Sequence, residues 1–109
     1  MMILKKQDLI SHDVFEFMQG RLSDTHWLED SIYLTEETIV KTKLVDFLTL
    51  TLTNFNYYGP TEVTEEDWNN IKHNVSASNS EITKQLVFEI DEWAKKSFKS
   101  HSCFTICGI

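Results

Sequence analysis

SEITKQLVFEIDEWAKKSFKS, residues 80–100, leads almost directly into CFTICGI, residues 103–109, and the reading of this stretch decides the fold. Ile82, Leu86, Ile90 and Trp93 recur at three- and four-residue spacing, and Val87, Ala94 and Phe98 widen them into one apolar stripe. Glu81 stands at the start of this long amphipathic helix, with Lys95, Lys96 and Lys99 near its end, as the helix macrodipole favours. Ser78 and Glu81 have capping-box spacing, and Ser80 competes for the cap. The apolar segment that follows reads as a short strand, which needs a pairing partner. Met2–Leu4 and Ser31–Leu34 are the candidates.

Upstream, the residues must supply what this helix and strand bury against. Met1–Leu4 is a short apolar patch. Asp8 or Ser11 can cap a helix over residues 14–22, where Val14, Met18 and Leu22 share a face and Gly20 lies near the end. Residues 23–33 form a polar, acidic loop with Trp27 and Leu28 turned inward. Thr35 is an N-cap with Glu36 and Glu37 in the first turn, and Leu34 is placed to staple onto the helix. Residues 35–55 read as one helix, although Leu48 to Thr53 alternates like a strand. Residues 54–64 contain the Gly-Pro pair and read as a loop. Thr64 caps a shorter helix that buries Trp68 and Ile71, and residues 74–79 connect it to the last one. The expected class is α+β and helix-dominated: about four helices with a small sheet that includes the C-terminal strand, in one domain over residues 1–109.

Composition narrows the functional classes. With 109 residues, 41% hydrophobic and 12% aromatic, the chain has material for one modest core. Three glycines and one proline argue for helices over a turn-rich sandwich. No run approaches the roughly 20 apolar residues of a membrane span, and the first residues lack a cleavage-site pattern. Cys103 and Cys107, four apart on a strand, would lie about 13 Å from each other, too far for a disulfide. The expectation is a pair of reduced thiols in a protein that stays in the cytoplasm. Net charge is −7, from 17 acidic and 10 basic residues, which argues against nucleic acid as a direct ligand, because phosphate binding needs clustered Lys and Arg.

Reactive chemistry finds little support. Ser11-His12-Asp13 holds the residue types of a hydrolytic triad, but triads are assembled by folds, not by adjacency. His101, Cys103 and Cys107 supply three metal-ligand types, whereas structural zinc takes four with tight spacing. The widely separated glycines exclude a phosphate-cradling loop. No metal, cofactor or catalytic residue is expected.

The charge layout carries more. Residues 22–40 hold Asp24, Glu29, Asp30, Glu36 and Glu37 with no Lys or Arg, and residues 44–71 hold Asp46, Glu62, Glu65, Glu66 and Asp67, again with none. Helix-start preference accounts for some of these carboxylates. Tyr57, Tyr58 and Trp27 lie in or beside the acidic loops, and tyrosine and tryptophan are side chains that interfaces use as anchors.

The order WLEDSIYL (27–34), FNYYG (55–59) with Thr61-Glu62-Val63 and Trp68 downstream, then Asp91-Glu92-Trp93 before FTICGI (104–109), resembles small bacterial immunity proteins. These are the cytoplasmic antidotes of contact-dependent growth inhibition and other polymorphic toxin systems. Tyr57-Tyr58-Gly59, an acidic helix start and a C-terminal apolar strand also resemble barstar-type nuclease inhibitors. The resemblance implies binding of a cognate, basic toxin, often a nuclease. The implied contacts are the carboxylates Asp24, Glu29, Asp30, Glu62, Glu65, Glu66 and Asp67, with Tyr57 and Tyr58 as anchors. The alternative is a regulatory interaction domain that turns the same surface to another basic partner.

Overall fold

The structure, a computed structural model, describes residues 2–11 and 13–108. The expectations that involve Met1, His12 and Ile109 lie outside these residues. Four strands and four α-helices follow in chain order: β1 (Val14–Gln19), β2 (Ile32–Thr35), α1 (Glu36–Thr42), α2 (Leu44–Thr51), β3 (Pro60–Thr64), α3 (Glu65–Ser76), α4 (Glu81–Ser100) and β4 (Cys103–Cys107). A 3-10 turn at Lys6–Asp8 precedes them. The α+β class, with the C-terminal strand inside the sheet, is as expected.

The sheet is antiparallel throughout, in the order β2-β1-β4-β3. Phe104 on β4 is the meeting point of sheet and helices. Its ring lies 6.0 Å from Phe17, 5.5 Å from Trp68 on α3, 5.4 Å from Trp93 and 5.7 Å from Phe98 on α4. Aromatic pairs at such separations contribute about 0.5–1.5 kcal/mol each beyond their area burial. The amphipathic stripe of α4 is therefore spent on this cluster, with Leu86, Ile90 and Ala94 fully buried beside it. Ser80 caps α4, its hydroxyl accepting the Thr83 amide at 3.4 Å.

Five expectations are corrected. Residues 14–19 form a central strand, not a helix. Val14 to Met18 are buried without interruption, so both faces of the segment need cover, which a sheet interior provides. Leu22, the third member of the apparent helical face, is exposed, and Gly20 takes a left-handed φ of 73° just past the strand. The partners of β4 are β1 and β3 rather than Met2–Leu4 and Ser31–Leu34. Residues 32–35 do form a strand, but on the far side of β1, and Leu4 bridges Tyr33 at that edge.

The segment expected as one helix is two. Lys43 breaks it, in the left-handed region at φ 56°. No glycine or proline marks this break. The Thr42 carbonyl, which would accept from the next turn of a continuous helix, instead accepts the Thr83 hydroxyl of α4. Thr42 Oγ1 in turn donates to the Thr38 carbonyl at 2.8 Å. In the Gly-Pro loop, residues 60–64 form the edge strand β3, with Thr61 and Val63 buried and Pro60, Glu62 and Thr64 exposed. Pro60 occupies the first position of that edge strand, where a missing amide is tolerated. Finally, α3 runs on to Ser76, so the connection to α4 is shorter than the expected 74–79.

Two buried carboxylates tie down the irregular segments. Glu16, on the strand face opposite Phe15 and Phe17, is 2% exposed. Its oxygens accept the amides of Trp27 and Leu28, both at 3.0 Å, and the Ser31 hydroxyl at 2.7 Å. The 20–31 loop is thereby drawn over that face, where Trp27 stacks 6.0 Å from Tyr33. Glu89 on α4, 8% exposed, accepts the amides of Met2 and Ile3 at 2.8 and 3.3 Å and so holds the N-terminal segment. A buried carboxylate is tolerated only when donors replace its water, and backbone amides of loops are such donors.

Candidate functional site

The strand register decides which of the expected residues meet. Gln19 pairs with Phe104 and Val63 with Phe104, while Ile32 pairs with Phe17. The C-terminal ends of β1 and β3, the start of β2 and the start of β4 therefore share one end of the sheet. The 20–31 loop with Asp24, Glu29 and Asp30 emerges there, and so does the first turn of α3 with Glu65, Glu66 and Asp67. β2 and β3 are three strand spacings apart, roughly 14 Å, so the carboxylates form two groups on that end.

The tighter group is the corner between β3 and α3. Thr64 ends the strand and caps the helix: its Oγ1 accepts the Asp67 amide at 3.1 Å, and Asp67 Oδ2 accepts the Thr64 amide at 3.3 Å. Asp67 is thus committed to the capping box and is half-buried. Glu62, Glu65 and Glu66 are exposed, and no ion pair between described residues involves any of them. Glu62 lies near the Cys103 thiol, which burial pushes up in pKa, with Glu62 adding to the rise and Arg21 opposing it.

The second group is partly neutralised. Lys6 Nζ sits 3.4 Å from Glu29 Oε1. The carbonyl of Asp30 accepts Trp93 Nε1 at 2.8 Å, leaving its side chain exposed. Asp24 is exposed.

Tyr57 and Tyr58 do not join either group. They lie in the turn before β3, at the opposite end of a five-residue strand, about 17 Å away. Tyr57 is half-buried with its ring 5.2 Å from Phe15, and burial, then Glu36 on α1, raises its pKa. Gly108 passes so close to this turn that a Cβ there would overlap the Tyr57 carbonyl. Tyr58 is 79% exposed, the larger free aromatic surface of the two.

Sequence reasoning missed a cleft of about 300 Å³ between α3 and α4. At its centre Asp91 Oδ1 accepts Trp68 Nε1 at 2.8 Å and lies 3.2 Å from Lys72 Nζ, while Lys95 Nζ is 3.6 Å from Oδ2. Burial works against the Asp91 charge, but the hydrogen bonds from Trp68 and Lys72 and the lysine charges outweigh it and lower the pKa. Glu65 lines the mouth of this cleft, so the acidic corner borders a lysine-bearing one. At this border the segregation of charge along the sequence breaks down, because α4 brings Lys95 and Lys99 beside Glu65. The Lys72–Asp91 pairing had no local signal, because the two residues lie on different helices.

For reactive chemistry the arrangement offers few groups. Of Ser11-His12-Asp13, His12 lies outside the described residues, and the Asp13 amide donates to Ser11 Oγ at 3.4 Å, a local turn. His26 Nδ1 approaches Glu16 at 3.5 Å. Cys103 and Cys107 are free and buried, with the Cys107 thiol raised to about 11 by burial and by Glu16. Among the described residues no three His, Cys, Asp or Glu side chains are grouped as metal ligands, and no helix is long and apolar enough to cross a membrane. Comparison with models of known families, with curated proteins and with solved structures finds no match.

Proposed function

We propose that the protein is an antidote that binds and neutralises a basic toxin protein, with a nuclease as the favoured class. The observation that carries this reading is the β3–α3 corner, where Glu62, Glu65 and Glu66 stand exposed and outside any ion pair between described residues. A nuclease must receive phosphate, so its active site is electropositive, and unneutralised carboxylates on a rigid strand–helix junction complement it. Steering of this kind raises association to about 10⁸–10⁹ M⁻¹s⁻¹, which suits capture of a toxin before it acts. Asp24 and Asp30 extend the acidic surface across the same end of the sheet, and Asp67 supports it by fixing the helix start.

Co-expression with the product of the gene beside its own tests the reading. That product alone should arrest growth, and this protein should restore it. The triple variant Glu62→Lys/Glu65→Lys/Glu66→Lys should restore it poorly at equal soluble level. A neighbour that is harmless, or one whose toxicity is unrelieved, contradicts the proposal.

A further inference from the structure

The alternation of an antiparallel sheet decides which main-chain groups are left at its two edges. The Gly108 amide donates to the Gly59 carbonyl at 2.9 Å, and with the β3–β4 register this makes Thr61 and Val63 the residues of β3 that bond to β4. The main-chain groups of Pro60, Glu62 and Thr64 therefore point away from the sheet. Those of Thr64 are used at the helix start: its amide donates to Asp67 Oδ2 at 3.3 Å, and as N-cap its carbonyl accepts the first bond of α3. Pro60 has no amide to satisfy. What stays open is the Glu62 N–H, the Glu62 carbonyl and the Pro60 carbonyl, on a stretch where both residues are exposed.

The opposite edge is closed. On β2 the outward residue is Tyr33, and Leu4 both donates to its carbonyl and accepts its amide, each at 2.9 Å. The N-terminal segment thus covers one edge of the sheet, and no backbone hydrogen bond between described residues does the same for Glu62.

An open edge is a template for pairing with another chain. A second copy of this protein is a poor occupant. The antiparallel register that uses both Glu62 groups sets each Glu62 against its counterpart in the other copy, and like charges directly opposite destabilise a strand pair. A lysine or arginine in that place meets a carboxylate that is in no ion pair between described residues. The edge therefore rejects its own kind and accepts a basic strand.

We propose that β3 is the docking edge for an extended, basic segment of the toxin, which adds to the sheet as a fifth strand antiparallel to β3. This rests on the antidote reading and names how the toxin is held. One residue of the segment exchanges both main-chain bonds with Glu62, and the residue two positions on donates to the Pro60 carbonyl. Tyr58, 79% exposed, precedes the strand, and Glu65 and Glu66 follow it, so the aromatic and the carboxylates flank one docking line. Main-chain bonds hold the segment, and the carboxylates select it.

The test uses the full chain and the purified product of the neighbouring gene. Hydrogen exchange of the Glu62 amide, fast in the free protein, should slow about tenfold or more in the complex. Glu62→Gln removes the charge and keeps the amide. Glu62→Pro removes both, at an outward position where the sheet loses no ladder bond. Glu62→Pro should bind about tenfold more weakly than Glu62→Gln, with the same unfolding midpoint. If Glu62→Pro fails to fold, exchange in the parent complex decides alone. Glu62→Pro that folds and binds like Glu62→Gln, or a Glu62 amide that exchanges equally fast in the complex, would overturn the strand addition and leave the antidote reading standing. Absence of any complex would overturn both.

Discussion

The hydroxyl of Ser31 donates to the carboxylate of Glu16 at 2.7 Å, joining the end of the 20–31 loop to the central strand it crosses. The Trp27 and Leu28 amides bind the same carboxylate, so one side chain replaces water for several loop donors. Each buried donor left unsatisfied costs about 1–3 kcal/mol, so Glu16→Ala should destabilise the protein by about 3–5 kcal/mol. Glu16→Gln, which keeps one acceptor oxygen, should cost less. Urea unfolding of the two variants checks the order, and a loss under about 1 kcal/mol for Glu16→Ala would separate the loop from this anchor.

Asp91 joins α3 to α4 through Trp68 and Lys72. Its carboxyl is held below the ordinary value of 3.8, so the stabilisation is complete above that pH. It is lost as pH falls through the lower, folded value. Asp91→Asn should therefore lower stability at neutral pH and flatten the acid limb of the urea-midpoint profile. Parallel profiles for parent and variant would show that the charge contributes nothing.

The elements that were legible in the sequence are those whose signals are local. α3 and α4 show a 3.6-residue apolar period with hydroxyl caps at Thr64 and Ser80, and the structure uses both caps. β1 was hidden because a strand buried on both faces does not alternate, and Val14, Met18 and Leu22 happen to share a helical spacing. The break at Lys43 was hidden because the group that takes up the Thr42 carbonyl, the Thr83 hydroxyl, lies 41 positions along the chain from Thr42. β3 was masked by the adjacent Gly-Pro. At the candidate site, exposure of Glu62, Glu65 and Glu66 could be read from the chain, and the Thr64/Asp67 spacing contains the capping role. That Tyr57 and Tyr58 sit at the other end of β3 from Glu65 and Glu66 follows once residues 60–64 are extended, and the loop reading of 54–64 hid it.

Tyr33 and Cys107 set a limit at high pH. Burial, then Glu16, raises the phenol of Tyr33 from 10.0 to about 12, and burial and Glu16 raise the Cys107 thiol from 9.0 to about 11. Groups with raised folded values stabilise below the unfolded pKa and lose that contribution as pH rises through the folded one. Stability should fall in steps between pH 9 and 12, and Tyr33→Phe should remove the upper part. Ultraviolet absorbance of tyrosinate, followed with unfolding, should show one phenol that ionises only near the upper limit. Titration of every tyrosine near the ordinary value would contradict this environment.

Lys43 holds a left-handed conformation at φ 56° between α1 and α2. Glycine adopts that region without penalty, so Lys43→Gly should stabilise the chain by about 0.5–1 kcal/mol. Calorimetry should find a higher melting temperature. A lower one would mean that the lysine side chain contributes more than its backbone costs.

The most direct measurement of the functional claim is the association rate of this protein with the product of the neighbouring gene, taken by stopped flow across a salt series. The account predicts a fast, salt-sensitive rate for the parent. For the Glu62→Lys/Glu65→Lys/Glu66→Lys variant it predicts a rate at least tenfold slower at low salt, with dissociation and folding little altered. Equal rates at low salt would remove the β3–α3 corner from the encounter and contradict the account.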